Sequence, residues 1–135
     1  MIAVLDASVA IALVIDETGS ASAALAMGGS EFLVPDTFWG EVSSALTRKV
    51  RAGETDRQGA LVAYGLLRRL VTRTVATQRL GPMAMGLALD MSHPVYDCFY
   101  LAAAIAYDAP LLTADRALHA AAVGAGHGAV VRLIG

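Results

Sequence analysis

Short apolar runs that end at an acidic residue and pass directly into helical segments are the feature of this sequence that most restricts its fold. Residues 2–5 (IAVL) have the length and composition of a buried strand, Asp6 ends the run, and residues 7–15 continue with helical character. A strand that opens straight into a helix is the first half of a βαβ unit, the usual connection between parallel strands. The beginning of the chain therefore predicts an α/β fold.

The same alternation continues to the end of the chain. Further strands are predicted at residues 31–34, 72–76, 110–113 and 129–133. Further helices are predicted at residues 21–27, 36–51 and 56–70, from Gly81-Pro82 to just before His93, at residues 96–107, and from Asp115 onward. Asp36 is well placed to cap the helix that it begins. Strands separated by helices imply a mainly parallel sheet covered on both faces, so residues 1–135 should form a single domain.

Composition narrows the class of protein further. Hydrophobic residues make up 56% of the chain and charged residues 16%, which excludes a disordered protein and favours a core-rich domain. The single cysteine, Cys98, excludes an internal disulfide and is best explained as a small buried hydrophobe. The apolar runs are too short to span a bilayer, and no basic segment precedes them as in a signal peptide. We therefore expect a soluble cytoplasmic protein.

Four carboxylates stand where this apolar chain leaves little room for charge. Asp6 and Asp115 follow strand ends, and ligands of parallel sheets bind beyond the carboxyl ends of the strands. Glu41 lies at the border of the apolar stripe of its helix and should face a cleft. Asp97 begins a helix that is otherwise almost wholly apolar, where an uncompensated charge is costly. Each acid alone is also explained as a helix cap, but the set of four predicts one site.

Four converging carboxylates repel one another unless a cation lies between them. Oxygen ligands favour Mg²⁺, with Mn²⁺ as a possible substitute, over zinc. Such an ion lowers the pKa of bound water and stabilises charge on a phosphate, which are the requirements of phosphodiester hydrolysis. The expected products carry a 5′-phosphate and a 3′-hydroxyl.

Basic side chains are concentrated in one part of the sequence. Residues 48–79 hold eight of the ten basic residues against two acids, so this segment carries +6 and the remainder −8. Such a basic segment could guide a polyanion toward bound metal, and it could equally be a solvated helical face. The candidates for contact with the phosphates of such a polyanion are Arg48, Arg68 and Arg69, and beside the last acid Arg116.

The four acids stand in four short motifs. These are VLDAS (residues 4–8), EVSSAL (41–46), YD (96–97) followed by an Ala-rich helix, and LTADR (112–116). In this order, and over essentially the whole chain, the motifs resemble those of the PIN-domain ribonucleases, and within them the VapC-like toxins of bacterial toxin–antitoxin pairs. Each motif alone is loose, and the four together are fairly specific.

The resemblance implies a three-layer α/β/α domain with a central, mainly parallel sheet of four to five short strands, and an Mg²⁺-dependent endoribonuclease. By position, Asp6 and Asp97 correspond to the principal metal ligands, with Glu41 and Asp115 completing the catalytic quartet. Ser8 and Thr113 resemble the hydroxyl residues that support the acids. The family also implies an RNA substrate, a cognate antitoxin and a homodimer.

Other interpretations fit the sequence less well. A haloacid-dehalogenase-like phosphatase needs a second Asp where Ser8 stands, and a receiver domain needs a lysine after a late strand, whereas the only lysine is Lys49. No motif ties Cys98 to a histidine, and His93 is better explained as a turn residue than as a contact to RNA. Trp39, Tyr96 and Tyr100 suit core or dimer packing better than base stacking. The remaining alternative is a non-catalytic metal-binding or protein/RNA interaction module with the same fold.

Overall fold

A five-stranded parallel sheet lies between helices in the computed structural model, which describes residues 2–15 and 31–134. The strands are β1 (Ile2–Leu5), β2 (Glu31–Pro35), β3 (Val71–Val75), β4 (Leu111–Thr113) and β5 (Val131–Leu133). The helices are α1 (Ala7–Val14), α2 (Thr37–Arg51), α3 (Arg57–Leu70), α4 (Thr77–Met91), α5 (Val95–Ala106) and α6 (Arg116–Gly124). The predicted helix at residues 21–27 lies outside the described residues.

The strand order is β3-β2-β1-β4-β5, and every neighbouring pair is parallel. β1 is the central strand, with Val4 beside Leu33 of β2 on one side and beside Leu111 of β4 on the other. The chain first builds outward from β1 to β3 and then crosses back to build β4 and β5. The strand order therefore reverses between β1 and β4, where open α/β sheets place their ligand crevice.

The helices form one layer on each face of the sheet. Right-handed crossovers place α1, α2 and α3 on one face and α4, α5 and α6 on the other. The contacts between helices agree, because α1 touches α2 and α3, while α4 packs along α5 and touches α6. The predicted three-layer α/β/α arrangement with a parallel sheet is confirmed.

Helix α5 is the most deeply buried of the helices in residues 2–15 and 31–134. Leu101 and the three alanines that follow it, residues 102–104, have no exposed surface. The small alanine side chains let the helix approach β1 and β2 closely, since a longer side chain would need space that the packed core does not have. Cys98 is also fully buried, as expected, and burial raises the pKa of its thiol to about 11. Cys98 is therefore a packing residue.

Helix α4 begins at Thr77, four residues before the predicted start at Gly81-Pro82, and Pro82 lies inside the helix. The prediction was wrong because the capping group is distant in sequence: Oδ1 of Asp36 accepts a hydrogen bond from the Thr77 amide at 3.2 Å. The predicted capping of α2 by the Asp36 side chain was also wrong. Asp36 precedes α2, but its backbone is already helical (φ −67°, ψ −17°), and its side chain makes no bond to that helix.

The other observed boundaries of helices and strands differ from the predicted ones by one or two residues. β3 occupies residues 71–75 instead of 72–76. β5 begins at Val131 instead of Ala129, because the Val130 amide donates to the carbonyl of His127 in a turn. In the described part of the chain, no helix is long and apolar enough to cross a membrane.

Candidate metal centre

Asp6 lies directly after the central strand β1, and both of its carboxylate oxygens are held. Oδ1 accepts a hydrogen bond from the Ser8 amide at 2.9 Å, which caps helix α1, and Oδ2 accepts from Oγ1 of Thr113 at 2.6 Å. The side chain is 7% exposed. Burial raises the pKa of the Asp6 carboxyl, while the bonds from Thr113 and Ser8 oppose this rise and the charge of Asp97 adds to it.

Thr113 joins two of the predicted acids. Its buried hydroxyl donates to Asp6 and accepts a hydrogen bond from the Asp115 amide at 3.0 Å. The Ser8 hydroxyl accepts from the Ala114 amide at 3.2 Å, which ties the start of α1 to the end of β4. The two residues predicted to support the acids therefore link the segments after β1 and β4.

Asp115 caps helix α6 in the way that its sequence position suggested. Its Oδ1 accepts hydrogen bonds from the amides of Ala117 at 2.9 Å and Leu118 at 3.1 Å. Asp115 can be both a helix cap and a member of the acidic site. Capping uses one oxygen and leaves Oδ2 for another partner.

Glu41 reaches the site from helix α2 on the face of the sheet that carries α1. Its Oε1 is buried and has no hydrogen-bond partner, and the same is true of the fully buried Tyr100 hydroxyl that faces it. The pKa of Glu41 is raised to about 7, first by burial and then by the charges of Asp6 and Asp97, although Tyr100 and Thr37 oppose the rise. An unpartnered buried carboxylate oxygen is costly unless a cation or a donor satisfies it.

Asp97 lies in the first turn of helix α5 and contacts His93. The Nε2 atom of His93 is 2.8 Å from Oδ2 of Asp97. His93, Asp97 and Asp115 each offer a potential ligand atom, and these atoms lie within 4.8 Å of one another. The sequence interpretation treated His93 as a turn residue and missed this contact, because His93 precedes α5 and its position is set by the turn at Ser92.

All four predicted acids line one cavity of about 530 Å³ at the carboxyl edge of the sheet. Ser8 lines it as well, together with Arg48 and Lys49 from the last turns of α2. A second cavity of about 630 Å³ shares Glu41 and Ser44 with the first and extends to Tyr96. The acids thus lie in an elongated cleft and not in a closed pocket.

The predicted RNA contacts are distributed over both edges of the sheet. Arg48 lies at the acidic cavity. Arg68 and Arg69 are exposed in the last turn of α3, next to the start of β3, and therefore at the opposite edge from the acids. Arg116 is exposed at the first residue of α6. Lys49, which the sequence interpretation did not select, lies at the cavity and forms an ion pair with Glu54 at 3.8 Å.

The donor set fits a divalent cation. The cavity offers carboxylate oxygens of four residues, Glu41 has a buried oxygen without a partner, and burial raises the pKa of both Asp6 and Glu41. A bound cation would favour the ionised form of both groups and satisfy the unpartnered oxygen. Oxygen donors of this kind suit Mg²⁺ and Mn²⁺.

Comparison with known proteins assigns the class. The PIN domain family model matches residues 3–124. The chain belongs to the PIN-domain family, and the resemblance that the four motifs carry is confirmed.

A solved structure shares the whole fold. The chain superposes on a chain from the crystal structure of VapBC2 from Rickettsia felis bound to a DNA fragment from their promoter, with a TM-score of 0.72, 8% identity and 100% of both chains covered. At that identity the likeness establishes the fold. No curated protein matches the sequence significantly.

Proposed function

We propose that this protein is a divalent-metal-dependent endoribonuclease that acts as the toxin of a toxin–antitoxin pair. The observation that carries the proposal is the convergence of Asp6, Glu41, Asp97 and Asp115 on one cavity. Membership of the PIN-domain family supports a nuclease, and the likeness to a chain of a VapBC2 structure supports the toxin–antitoxin context.

Asp6 and Asp97 would hold the cation, with Glu41 and Asp115 completing the site directly or through water. A bound Mg²⁺ or Mn²⁺ would activate water and stabilise negative charge on the phosphate. The chain's own contribution is orientation: Thr113 and the Ser8 amide fix both oxygens of Asp6, so its carboxylate needs no rearrangement when a cation binds. Burial around Asp6 and Glu41 strengthens every charge interaction in the cleft.

The substrate is a polyanion whose backbone passes the basic side of the cleft. Arg48 and Lys49 line the same cavity as the acids, so a phosphate chain that enters there meets positive charge before it reaches the carboxylates. Tyr96 is 61% exposed and lines the adjoining cavity, whereas Tyr100 is buried. Tyr96 is therefore better placed than Tyr100 to stack on an unpaired base.

The antitoxin and the homodimer are part of the same proposal. Support comes from the VapBC2 likeness and from large apolar side chains that stand exposed on two helices. These are Leu61, Val62 and Leu66 on α3, and Met83, Met85 and Leu89 on α4. Exposed apolar residues in such groups are typical of surfaces that another chain covers.

The test is incubation of antitoxin-free protein with total RNA and Mg²⁺ or Mn²⁺, with and without EDTA, alongside Asp97→Asn. We expect cleavage with 5′-phosphate ends that is lost in EDTA and in Asp97→Asn. Asp90→Asn is the matched control, because Asp90 is an exposed acid in the last turn of α4 and should leave cleavage intact.

Two outcomes would contradict the proposal. Cleavage that persists in EDTA and in Asp97→Asn would exclude a metal nuclease at this site. Metal binding without cleavage of any RNA would favour the alternative, a non-catalytic metal-binding or interaction module.

A further inference from the structure

His93 is held in place by the connection between helices α4 and α5. Ser92 ends α4 in the left-handed conformation (φ 51°), and the His93 amide donates to the carbonyl of Ala88 at 3.1 Å. Pro94 follows at the cap position of α5, with its φ fixed by the ring. The backbone on both sides of His93 is therefore constrained, which restricts the position of the imidazole relative to its neighbours.

That neighbour is Asp97, and the contact is partly buried. The distance from Nε2 of His93 to Oδ2 of Asp97 is 2.8 Å, with the His93 side chain 11% exposed and that of Asp97 30% exposed. In the tautomer that carries its proton on Nε2, His93 donates a hydrogen bond to this carboxylate, which in its ionised form only accepts. Charge-assisted bonds of this kind are stronger than neutral ones, and more so away from solvent.

The other two aspartates of the site are oriented by different groups. Asp6 is held by Thr113 and the Ser8 amide, and Asp115 by the first amides of α6. Among the described residues, the hydrogen-bond partner of the Asp97 carboxylate is His93. Without it, the carboxylate of Asp97 would be free to rotate at the mouth of the cavity.

We propose that His93 is a positioning residue of the metal centre, which holds Oδ2 of Asp97 so that the other oxygen, Oδ1, is presented to a divalent cation. The inference rests on the proposed function only in that the four acids bind such a cation. It assigns the imidazole a supporting role although its ligand atoms lie close enough to Asp97 and Asp115 for direct coordination. Partners that orient a metal ligand in this way typically raise metal affinity or activity by about 10- to 100-fold.

The experiment compares Mn²⁺ binding by the full chain and its His93→Ala and His93→Gln variants, measured by calorimetry and by electron paramagnetic resonance. We expect His93→Ala to weaken Mn²⁺ binding about 10- to 100-fold, and His93→Gln, whose amide keeps an N–H donor, to recover most of that loss. The Mn²⁺ signal of the unaltered protein should show no coupling to an imidazole nitrogen. His119→Ala is the matched control, since His119 lies on α6 and does not line the cavity.

The possible failures are distinguishable. If the unaltered protein binds Mn²⁺ and His93→Ala binds it equally well, the positioning role is wrong and the proposed function stands. If a nitrogen coupling is present and disappears in His93→Ala, His93 is a direct ligand and the positioning role is again overturned. If the unaltered protein binds no Mn²⁺, the proposed metal-dependent function itself fails.

Discussion

The two edges of the sheet carry cavities of similar size and different character. At the carboxyl edge, about 530 Å³ is lined by four acids, while at the amino edge, about 390 Å³ is lined by one acid, Asp108, together with His127 and Arg132. Helix N-termini meet at the carboxyl edge, where Asp6 and Asp115 cap α1 and α6 and Asp97 lies in the first turn of α5. The positive ends of the helix dipoles favour carboxylates there.

The difference shows which part of the acidic site follows from the fold and which part the fold leaves without a partner. A parallel sheet with short connections supplies capping positions that attract aspartates at one edge. It does not supply a partner for Glu41, which comes from the side of a helix and keeps an unpartnered buried oxygen. Burial, together with the charges of Asp6 and Asp97, raises the pKa of Glu41.

The largest effect is expected from removing one charge at the carboxyl edge. Asp6→Asn should lower metal affinity and RNA cleavage by more than about 100-fold, because a proposed principal ligand is lost while the shape of the side chain is kept. Asp108→Asn at the amino edge should change neither, and asparagine tolerates the left-handed backbone of that residue (φ 50°). Calorimetry with Mn²⁺ and a fluorescent RNA cleavage assay measure both; equal losses in the two variants would show that the edges do not differ in function.

The stability of the metal-free protein should depend on pH, because two acids at the carboxyl edge have raised pKa values. The pKa of Glu41 rises from 4.5 to about 7 on folding, so its stabilising contribution is complete below pH 4.5 and is lost as the pH rises through 7. Asp6 shifts in the same direction. In EDTA, we expect Glu41 to account for a loss of about 1 to 2 kcal/mol between pH 5 and pH 8, after discounting for its partial exposure.

Urea unfolding at the two pH values tests this expectation. Glu41→Gln should flatten the dependence and make the metal-free protein more stable than the unaltered one at pH 8. Saturating Mn²⁺ should reverse the trend for the unaltered protein, because the cation favours the ionised acids. If the free energy of unfolding changes equally with pH in the unaltered protein and in Glu41→Gln, the pKa of Glu41 is not raised by folding.

Variants of the basic residues test whether RNA contacts only the carboxyl edge of the sheet. Arg48→Gln should weaken RNA binding several-fold and reduce the slope of log affinity against log salt by about 0.7, the value for one phosphate contact on a single strand. The Arg68→Gln/Arg69→Gln double variant should bind within about two-fold of the unaltered protein, because both side chains lie at the amino edge. Binding is measured with Ca²⁺ or without metal so that RNA stays intact. A larger loss of affinity in the double variant than in Arg48→Gln would indicate that RNA binds at the amino edge.

The smallest effect is expected at Tyr100, under the acidic cavity. Tyr100→Phe removes a buried hydroxyl that faces Glu41 but forms no hydrogen bond of good geometry, so stability in EDTA should stay within about 1 kcal/mol or rise slightly. Because Tyr100 lowers the pKa of Glu41, its removal should move the pH midpoint of Mn²⁺ binding upward. Tyr64→Phe on α3 is the control. A midpoint that does not move would show that Tyr100 is a packing residue alone.

The features predicted from sequence are those that depend on neighbours along the chain. Asp6 and Asp115 were identified because each follows a strand and caps the next helix, which is a local pattern. Glu41 was placed in a cleft because helical periodicity put it at the border of an apolar stripe. The strand and helix alternation gave the sheet in the same way.

The features that sequence did not predict depend on contacts between distant segments. The start of α4 at Thr77 requires Asp36, which is 41 positions earlier. The separation of Arg48 from Arg68 and Arg69 requires the direction of β3 in the sheet, and composition alone placed all three in one basic segment. The contact between His93 and Asp97 depends on the geometry of a turn whose left-handed residue, Ser92, is not glycine.

The Thr113 hydroxyl has a consequence for the synthesis of the protein. It bonds to Asp6 across 107 positions of sequence, and Asp115 follows it by two residues. A nascent chain that has emerged only through α5 has Asp6, Glu41 and Asp97 but neither the donor that aligns the first acid nor the last acid. The acidic centre is therefore complete only after residues 113–115 have been translated and have left the ribosome.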